Sequence, residues 1–500
     1  MLKGNFSKSI GVSFTAYFLS AALSFISIPI LINHFGSNLY AIWALIISLI
    51  TYLNNISFGL PTAVTVLVAK VKNPLLRKGI ILRSFLILLI ISLCMILLTF
   101  ILDFIDNEWT LAILGNVNPI YISEAKSAFR LVILLILIKI PVSIFLSYFA
   151  GVGKIYITQL YNIVIYISDF LLIILVLTFD LSFTHLAFLT ILSQIFISLI
   201  AMLHCLYKFK LFSNISKIER PSYKFLYFNG FSFFQVVLAA NIVWGTDALV
   251  ISHYLSSDYI APYSLAFKIF SLCFISFSLI GYVFGPIYGR LCALNDWEKI
   301  QSIINANLSA LPRLAGFLWI GLIIYSDNFI YIWTGDANLF GGYNLMFILG
   351  LYLLLLSFIN PLSCLAFSLN YAKNLTVYIW MEAGLNLVLS IIFVNMYGIA
   401  GVALGTAMAA LIIPFSNLPR LINILCTKRL KISFFPQLKF IIFILAPSLL
   451  FATYIETGIV NEALKFLLFI VTAILYISLS FFSIGRDEKN FIVNFRKQNL

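Results

Sequence analysis

The chain has 500 residues, of which 62% are hydrophobic and only 10% are charged. Soluble domains carry about 25% charged residues, and no soluble core could enclose this much apolar sequence. The composition therefore excludes a soluble globular protein and indicates a chain whose solvent is lipid. The formal net charge of +13 does not require a nucleic-acid partner, because basic loops facing an anionic membrane leaflet account for it.

Apolar runs of about 20 residues are long enough to cross the hydrocarbon of a bilayer as helices. The sequence predicts fourteen such runs, near 10–32, 39–61, 79–102, 128–150, 155–178, 183–207, 225–252, 259–285, 303–325, 343–366, 372–395, 398–423, 439–457 and 462–482. The first run follows two lysines, as a signal peptide would. It continues too far for a cleaved leader, so we expect a retained first helix.

Basic residues are distributed unequally between the two sets of connecting loops. With the N-terminus placed in the cytoplasm, 25 of the 31 basic residues fall on the inner side. The outer side receives only Lys126, Arg130 and Lys465, together with ten of the eighteen acidic residues. This asymmetry is the positive-inside pattern, and it predicts a multi-pass membrane protein with both termini in the cytoplasm.

One connecting segment occurs twice in the sequence. "IPILINHFGSNLYAIWAL" (28–45) and "ALVISHYLSSDYIAPYSL" (248–265) share Ile, His, Ser and Tyr at a constant offset, and both join an odd-numbered run to the next on the outer face. Six runs separate the copies, which predicts two parallel repeats related by an axis along the membrane normal. We therefore expect an all-α integral membrane protein with two pseudo-symmetric six-helix lobes around a central lumen and two extra C-terminal helices. The predicted parts are 1–224 (runs 1–6 and a basic linker), 225–424 (runs 7–12) and 425–500 (runs 13–14 and a basic cytoplasmic tail).

Six charged residues lie inside the runs, namely Lys139, Asp169, Asp247, Lys268, Arg313 and Glu382. Each would cost about 2.5–3.5 kcal/mol at the centre of a lipid-exposed helix, so we expect them to face a wet lumen or one another. Lys268 and Arg313 lie at similar depth in adjacent runs, which predicts that they meet near the membrane midplane. Structural ion pairs between helices are the alternative, which fits Asp247 best because it lies near the outer end of its run.

Motifs for metal binding or covalent catalysis are not found. The six cysteines are scattered without CxxC spacing, and the four histidines all lie near membrane faces. Glycine-rich phosphate loops, nucleophile elbows and HExxH are missing from the sequence. Small residues cluster instead in "GIAGVALGTA" (398–407), which favours close helix packing. The sequence therefore predicts neither an enzyme nor a bound cofactor or metal.

Four segments carry a family resemblance: "IPILINHFGSNLYAIWAL", "NNISFGLPTAVTVLVAK" (54–70), "GTDALVISHYLSSDYIAPYSLAFKI" (245–269) and "MEAGLNLVLSIIFVNMYGIAGVALGTAMA" (381–409). Together they resemble the O-antigen flippases of the polysaccharide-transporter family, within the MATE-like superfamily of multidrug, oligosaccharidyl-lipid and polysaccharide transporters. The sequence departs from the family pattern at Ala41, where glycine is usual, and at Ser57, where aspartate is frequent.

The resemblance implies a flippase of the bacterial cytoplasmic (inner) membrane that moves an undecaprenyl-diphosphate-linked oligosaccharide to the outer leaflet by alternating access. In that role Lys139, Lys268 and Arg313 would hold the anionic substrate. Asp169, Glu382 and Asp247 would couple transport to a proton or sodium gradient. Membrane lipid and polysaccharide assembly proteins are the other expected partners.

Three alternatives stay open. A drug or cation exporter of the same superfamily would have an acid-dominated cavity, whereas this chain has three basic residues inside its runs. A lipid II flippase would carry arginines in its first two runs, which here contain no charge. A membrane polysaccharide polymerase would carry its chemistry on a long outer loop, and the longest one here (103–126) contains neither histidine nor arginine.

Overall fold

The computed structural model describes residues 2–106, 108–211, 223–369, 372–426, 429–458 and 462–482. Within these ranges the regular structure is helical, with no strand. Most of the basic linker and the C-terminal tail from 483 lie outside the described residues. Helices are expected here because backbone groups surrounded by lipid must hydrogen-bond within their own segment.

The first nine helices are α1 (Leu2–Asn54), α2 (Leu60–Lys70), α3 (Pro74–Ile105), α4 (Trp109–Leu114), α5 (Ile122–Gly151), α6 (Ile155–Thr178), α7 (Phe183–Phe209), α8 (Tyr223–Gly245) and α9 (Asp247–Tyr254). The other eight are α10 (Ile260–Ala293), α11 (Trp297–Thr334), α12 (Tyr343–Ser368), α13 (Ala372–Ala410), α14 (Ser416–Leu425), α15 (Phe435–Phe440), α16 (Ala446–Gly458) and α17 (Glu462–Phe482). Local signals set several ends. Asp296, for example, precedes α11 and accepts a hydrogen bond from the Lys299 amide at 3.2 Å.

Ten helices among the described residues are long and apolar enough to cross a membrane, or eleven if the bent pair α8–α9 is one span. Two of the ten are double-length and turn at glycines with positive φ, Gly36 in α1 and Gly398 in α13. If each of these two helices is counted as two spans, and the bent pair and the shorter apolar helix Ile441–Glu456 are added, the total is fourteen. This total agrees with the fourteen spans expected from the sequence, and the span count stays a prediction. The all-α membrane fold is confirmed.

Both copies of the repeated connector lie where one helix gives way to the next, as predicted. The first contains the turn at Gly36 (φ 82°), and the second runs from α9 across the break after Tyr254 into the start of α10. His34 Nε2 lies 3.5 Å from the carboxylate of Asp180, and His253 Nε2 lies 3.0 Å from the carbonyl oxygen of Ala112. Both histidines therefore tie a connector to a neighbouring loop or helix.

The three basic residues predicted on the outer side each form an ion pair. Lys126 Nζ lies 3.2 Å from Glu108, Arg130 Nε lies 3.1 Å from Asp103, and Lys465 Nζ lies 2.5 Å from Glu456. These three positive charges are thus locally neutralised, and the orientation of the chain stays a prediction.

The chain packs into two compact units, Met1–Ala261 and Pro262–Leu500. Helices α8 and α9 belong to the first unit. The hydroxyl of Ser48 donates to the Gly245 carbonyl at 2.5 Å, and that of Tyr52 donates to the Asn241 carbonyl at 3.0 Å. This division falls after the seventh predicted span, whereas the predicted lobes divide at 224. The pseudo-symmetry of two six-helix lobes stays a prediction.

Close packing of the small residues in 398–407 is confirmed. The chain turns at Gly398 (φ 59°), and the segment after it packs back along the first part of α13. A Cβ on Gly401 would collide with the Phe393 carbonyl, and one on Gly405 would lie 2.5 Å from the Ser390 amide nitrogen. Glycine is required at these positions because the two backbones touch.

Candidate functional site

The six charged residues predicted inside the membrane are divided equally between the units. Lys139, Asp169 and Asp247 belong to the first unit, and Lys268, Arg313 and Glu382 belong to the second.

In the first unit, Lys139 on α5 and Asp169 on α6 are joined through Gln194 on α7. Lys139 Nζ donates to Gln194 Oε1 at 2.6 Å, and Gln194 Nε2 donates to Asp169 Oδ2 at 2.9 Å. A single amide thus satisfies a cation through its oxygen and an anion through its nitrogen, which fixes the orientation of all three groups. We name these three residues the polar bridge.

Two of the groups in the polar bridge keep unused hydrogen-bonding capacity. Asp169 Oδ1 is buried and makes no hydrogen bond within the ranges that the structure describes. Lys139 is half-buried, and Gln194 is its one hydrogen-bond partner in the same ranges, so other N–H groups of its ammonium can meet a ligand or water. A carboxylate and an ammonium with spare capacity are costly in lipid. The polar bridge is therefore best explained by a hydrated interior.

Sequence reasoning missed Gln194. It predicted Lys139 and Asp169 as separate substrate and coupling residues, and the structure brings them together. In a sequence, an uncharged amide among the other polar residues of a span gives little indication that it belongs to a site. Its role becomes evident only when three helices pack so that one side chain reaches two charges.

Asp247 has a different setting. It lies in the first turn of α9, just beyond a 45° bend from α8, and its side chain is only 3% exposed. A carboxylate at a helix N-terminus is stabilised by the unpaired N–H groups and the helix dipole. This placement is compatible with a structural role, and the coupling role of Asp247 stays a prediction.

In the second unit, Arg313 on α11 is enclosed by α15 and α17. Its guanidinium donates to Ser309 Oγ at 2.7 Å, to Gln437 Oε1 at 3.2 Å and to the Ser480 carbonyl at 3.2 Å. The guanidinium also lies 4.7 Å from the ring centroid of Phe440.

This enclosure changes the interpretation of Arg313. The side chain is 9% exposed, and the Tyr476 hydroxyl on α17 donates to the Arg313 carbonyl at 2.8 Å. The guanidinium thus hydrogen-bonds to α15 and α17 and holds both helices against α11. Its burial and these hydrogen bonds favour a structural role for Arg313, and the substrate-binding role stays a prediction.

Lys268 and Glu382 are both half-buried, on α10 and on the first part of α13. Glu382 makes no hydrogen bond or ion pair with any residue that the structure describes. One and two turns further along α13, Asn386 donates to Thr406 Oγ1 at 2.9 Å and Ser390 donates to the Val402 carbonyl at 3.2 Å. The polar residues of this helix face therefore differ in role: Asn386 and Ser390 hold the turn at Gly398 closed, and Glu382 keeps its carboxylate for other partners.

Comparison with known proteins gives the family and the fold. Residues 6–291 match the family described as polysaccharide biosynthesis protein. A candidate O-antigen transporter of Salmonella typhimurium is 25% identical over 187 residues, which cover 37% of this chain and 44% of that protein. One of Salmonella typhi is 27% identical over 211 residues, covering 41% and 47%. The matches thus span less than half the length of these relatives.

Solved structures of transporters share the fold. The lipid II flippase MurJ in an inward closed conformation aligns with a TM-score of 0.67 at 17% identity, covering 94% of this chain and 98% of its own. An inward-facing multidrug transporter of the MATE family, in the MOP superfamily, aligns with a TM-score of 0.68 at 15% identity, covering 83% and 95%. The family match covers more than half of this chain, and the chain therefore belongs to the polysaccharide biosynthesis protein family.

Proposed function

We propose that this protein is a flippase that moves an oligosaccharide linked to a polyprenyl diphosphate, expected to be undecaprenyl diphosphate, from the cytoplasmic to the outer leaflet. The family match and the O-antigen relatives support the carbohydrate. The fold shared with a lipid II flippase supports the movement of a lipid-linked molecule. The observation that carries the proposal is the polar bridge, in which Gln194 joins a cation and an anion inside an apolar helical unit.

The substrate presents a chemical problem that this arrangement suits. Its diphosphate is anionic and must cross a layer in which unpaired charge is strongly disfavoured. Each unit has a half-buried cation of its own, Lys139 in the first and Lys268 in the second, and a cation of this kind can replace water around a diphosphate. The polyprenyl tail can remain in lipid throughout. Translocation makes and breaks no covalent bond, so the proposed activity is transport and not catalysis.

Alternating access requires an energy source, and the acids are the proposed coupling groups. Asp169 has a buried oxygen without a hydrogen bond in the described chain, and Glu382 has no partner there. Each can take up a proton or recruit sodium when its surroundings close. If Asp169→Asn and Glu382→Gln both leave transport fully dependent on the ion gradient, coupling through these acids is wrong.

Reconstituted flipping tests the proposal directly. Purified protein is placed in liposomes that carry lipid-linked oligosaccharide, and the fraction of sugar accessible to an added glycosidase is followed with time. We expect faster exposure with the protein than without it, partial activity in Lys139→Arg and little in Lys139→Ala. Lys126→Ala is the matched control, because Lys126 is paired with Glu108 near the outer connector. Equal rates with and without protein would refute a flippase.

A drug or cation exporter is the second candidate. The fold shared with a multidrug MATE transporter and the two half-buried acids favour it. It predicts that loss of the gene sensitises cells to cationic drugs and leaves surface polysaccharide unchanged. The flippase proposal predicts the reverse pattern.

The site of action follows from the substrate. We place the protein in the bacterial cytoplasmic membrane with both termini inside, where polysaccharide assembly proteins can receive its product. A periplasm-specific reporter fused to the C-terminus should be inactive. Activity of that fusion would require an odd number of spans and would overturn the orientation.

A further inference from the structure

The predicted second span is interrupted before its end. After Asn54 the chain makes a short 3₁₀ turn over Asn55–Ser57. Phe58 (φ 48°) and Gly59 (φ 68°) are then left-handed, and α2 starts afresh at Leu60. These two left-handed residues interrupt the helical hydrogen bonds between α1 and α2. The side chains near the break therefore surround a gap instead of continuing along one helix face.

A cavity of about 240 Å³ occupies this gap, between α1, α2 and α8 in the first unit. At about 30 Å³ per water molecule it has room for about eight waters, which suits one sugar ring and not a longer oligosaccharide. All of its lining residues within the described chain are uncharged, and they include Asn54, Ser57, Thr62, Phe234 and Asn241.

Three of these lining residues have unused polar groups. The side chains of Asn54, Ser57 and Thr62 make no hydrogen bond to any residue described in the structure. Asn241 is instead held in place: its Nδ2 donates to Asn55 Oδ1 at 3.1 Å, which leaves its own oxygen available. Carboxamides and hydroxyls of this kind are the groups that hydrogen-bond the hydroxyls of a sugar.

The wall of the cavity adds an aromatic face. The Phe234 ring lines it and packs against the Phe58 ring, with centroids 5.2 Å apart. An aromatic face beside amides and hydroxyls suits a pyranose ring, which has an apolar face and a polar edge. The lack of charge in the described lining disfavours the diphosphate, which pairs best with arginine or lysine.

The geometry points to this cavity as a subsite for one uncharged sugar ring of the substrate, separate from the lysines proposed for its diphosphate. The inference rests on the proposed function for its biological meaning. Binding of the sugar can nevertheless be measured without transport. Asn54, Ser57, Thr62 and Asn241 would select the sugar through its hydroxyl pattern, and Asn55 would act as a positioning residue for Asn241.

Saturation-transfer difference NMR on the purified protein in nanodiscs provides the test, with free galactose, mannose and N-acetylglucosamine as probes. The variants are Asn54→Leu and Thr62→Val, neither of which removes a hydrogen bond within the described protein. Asn395→Leu is the matched control, since that exposed amide donates to the Ile391 carbonyl of its own helix at 3.0 Å and to no other residue that the structure describes. Inorganic phosphate, followed by ³¹P line broadening, is the competing probe.

We expect at least one sugar to receive saturation, and each variant to weaken its binding by about threefold to tenfold, as loss of one hydrogen bond predicts. The control should leave binding unchanged. Absence of transfer to every sugar, or transfer unaffected by both variants, would overturn the subsite. So would phosphate binding that depends on the same residues. A null mutant with normal surface polysaccharide would instead contradict the flippase proposal and leave a measured sugar site standing.

Discussion

Replacing Gln194 with leucine tests whether the polar bridge stabilises the protein. The change keeps the approximate size of the side chain and removes both hydrogen bonds, at 2.6 Å to Lys139 and 2.9 Å to Asp169. Hydrogen bonds to charged groups contribute about 1.5–3 kcal/mol each, so the free energy of unfolding should fall by about 3–6 kcal/mol. Water that reaches the exposed charges places the result toward the lower end of this range.

Gln159→Leu is the matched control in the same unit. Gln159 accepts one hydrogen bond from the neutral amide of Asn162 at 3.2 Å. Loss of a neutral bond costs about 0.5–1.5 kcal/mol, which is severalfold less. Unfolding of the purified proteins by SDS in mixed micelles compares the two variants. Equal losses would refute the claim that Gln194 bridges two charges.

Three further predictions follow from the second unit. Arg313→Ala should lower the melting temperature and the amount of protein in the membrane, because it undocks the C-terminal helices; normal accumulation with abolished transport would restore a substrate role. Gly401→Ala should destabilise the protein by more than 1 kcal/mol, roughly the scale of an overpacked core, since the new methyl group meets the Phe393 carbonyl; an unchanged melting temperature would contradict this close approach. The Lys299 ammonium, hydrogen-bonded to Asp296, lowers the pKa of that carboxyl. The stability advantage of wild type over Asp296→Asn should therefore be present above about pH 4 and be lost below it as the carboxyl protonates in the folded state; an advantage that grows on acidification would reverse the sign.

The membrane fold could be predicted from the sequence because the features that indicate it are local and recur along the chain. Apolar runs, the bias of basic residues and the glycines near 398–407 each act through local composition, and the structure confirms the helices and the close packing. The repeated connector was informative for the same reason, since each copy marks a change of helix. None of these features depends on which helices become neighbours.

The candidate site depends on such neighbours, and its partners could not be read from one chain. Arg313 meets residues more than 120 positions away, at Gln437 and Ser480. A charge inside a span indicates that a partner exists without indicating whether it is a substrate or another helix. Gln194 was overlooked because an uncharged amide in a span costs less than a charge and therefore indicates a functional site less strongly. The break at Gly59 was missed although Asn54, Asn55, Ser57, Gly59 and Pro61 surround it, because the apolar sequence resumes directly after it.

The location of lipid-linked sugar in cells without this gene tests the central claim most directly. Spheroplasts of the deletion strain are treated with an impermeant glycosidase, and the polyprenyl-diphosphate-linked oligosaccharide is quantified before and after treatment. We predict that surface polysaccharide is lost, that the lipid-linked units accumulate in a protected form, and that a plasmid copy of the gene restores both. Normal surface polysaccharide, or accumulated units that the enzyme already reaches from outside, would contradict a flippase.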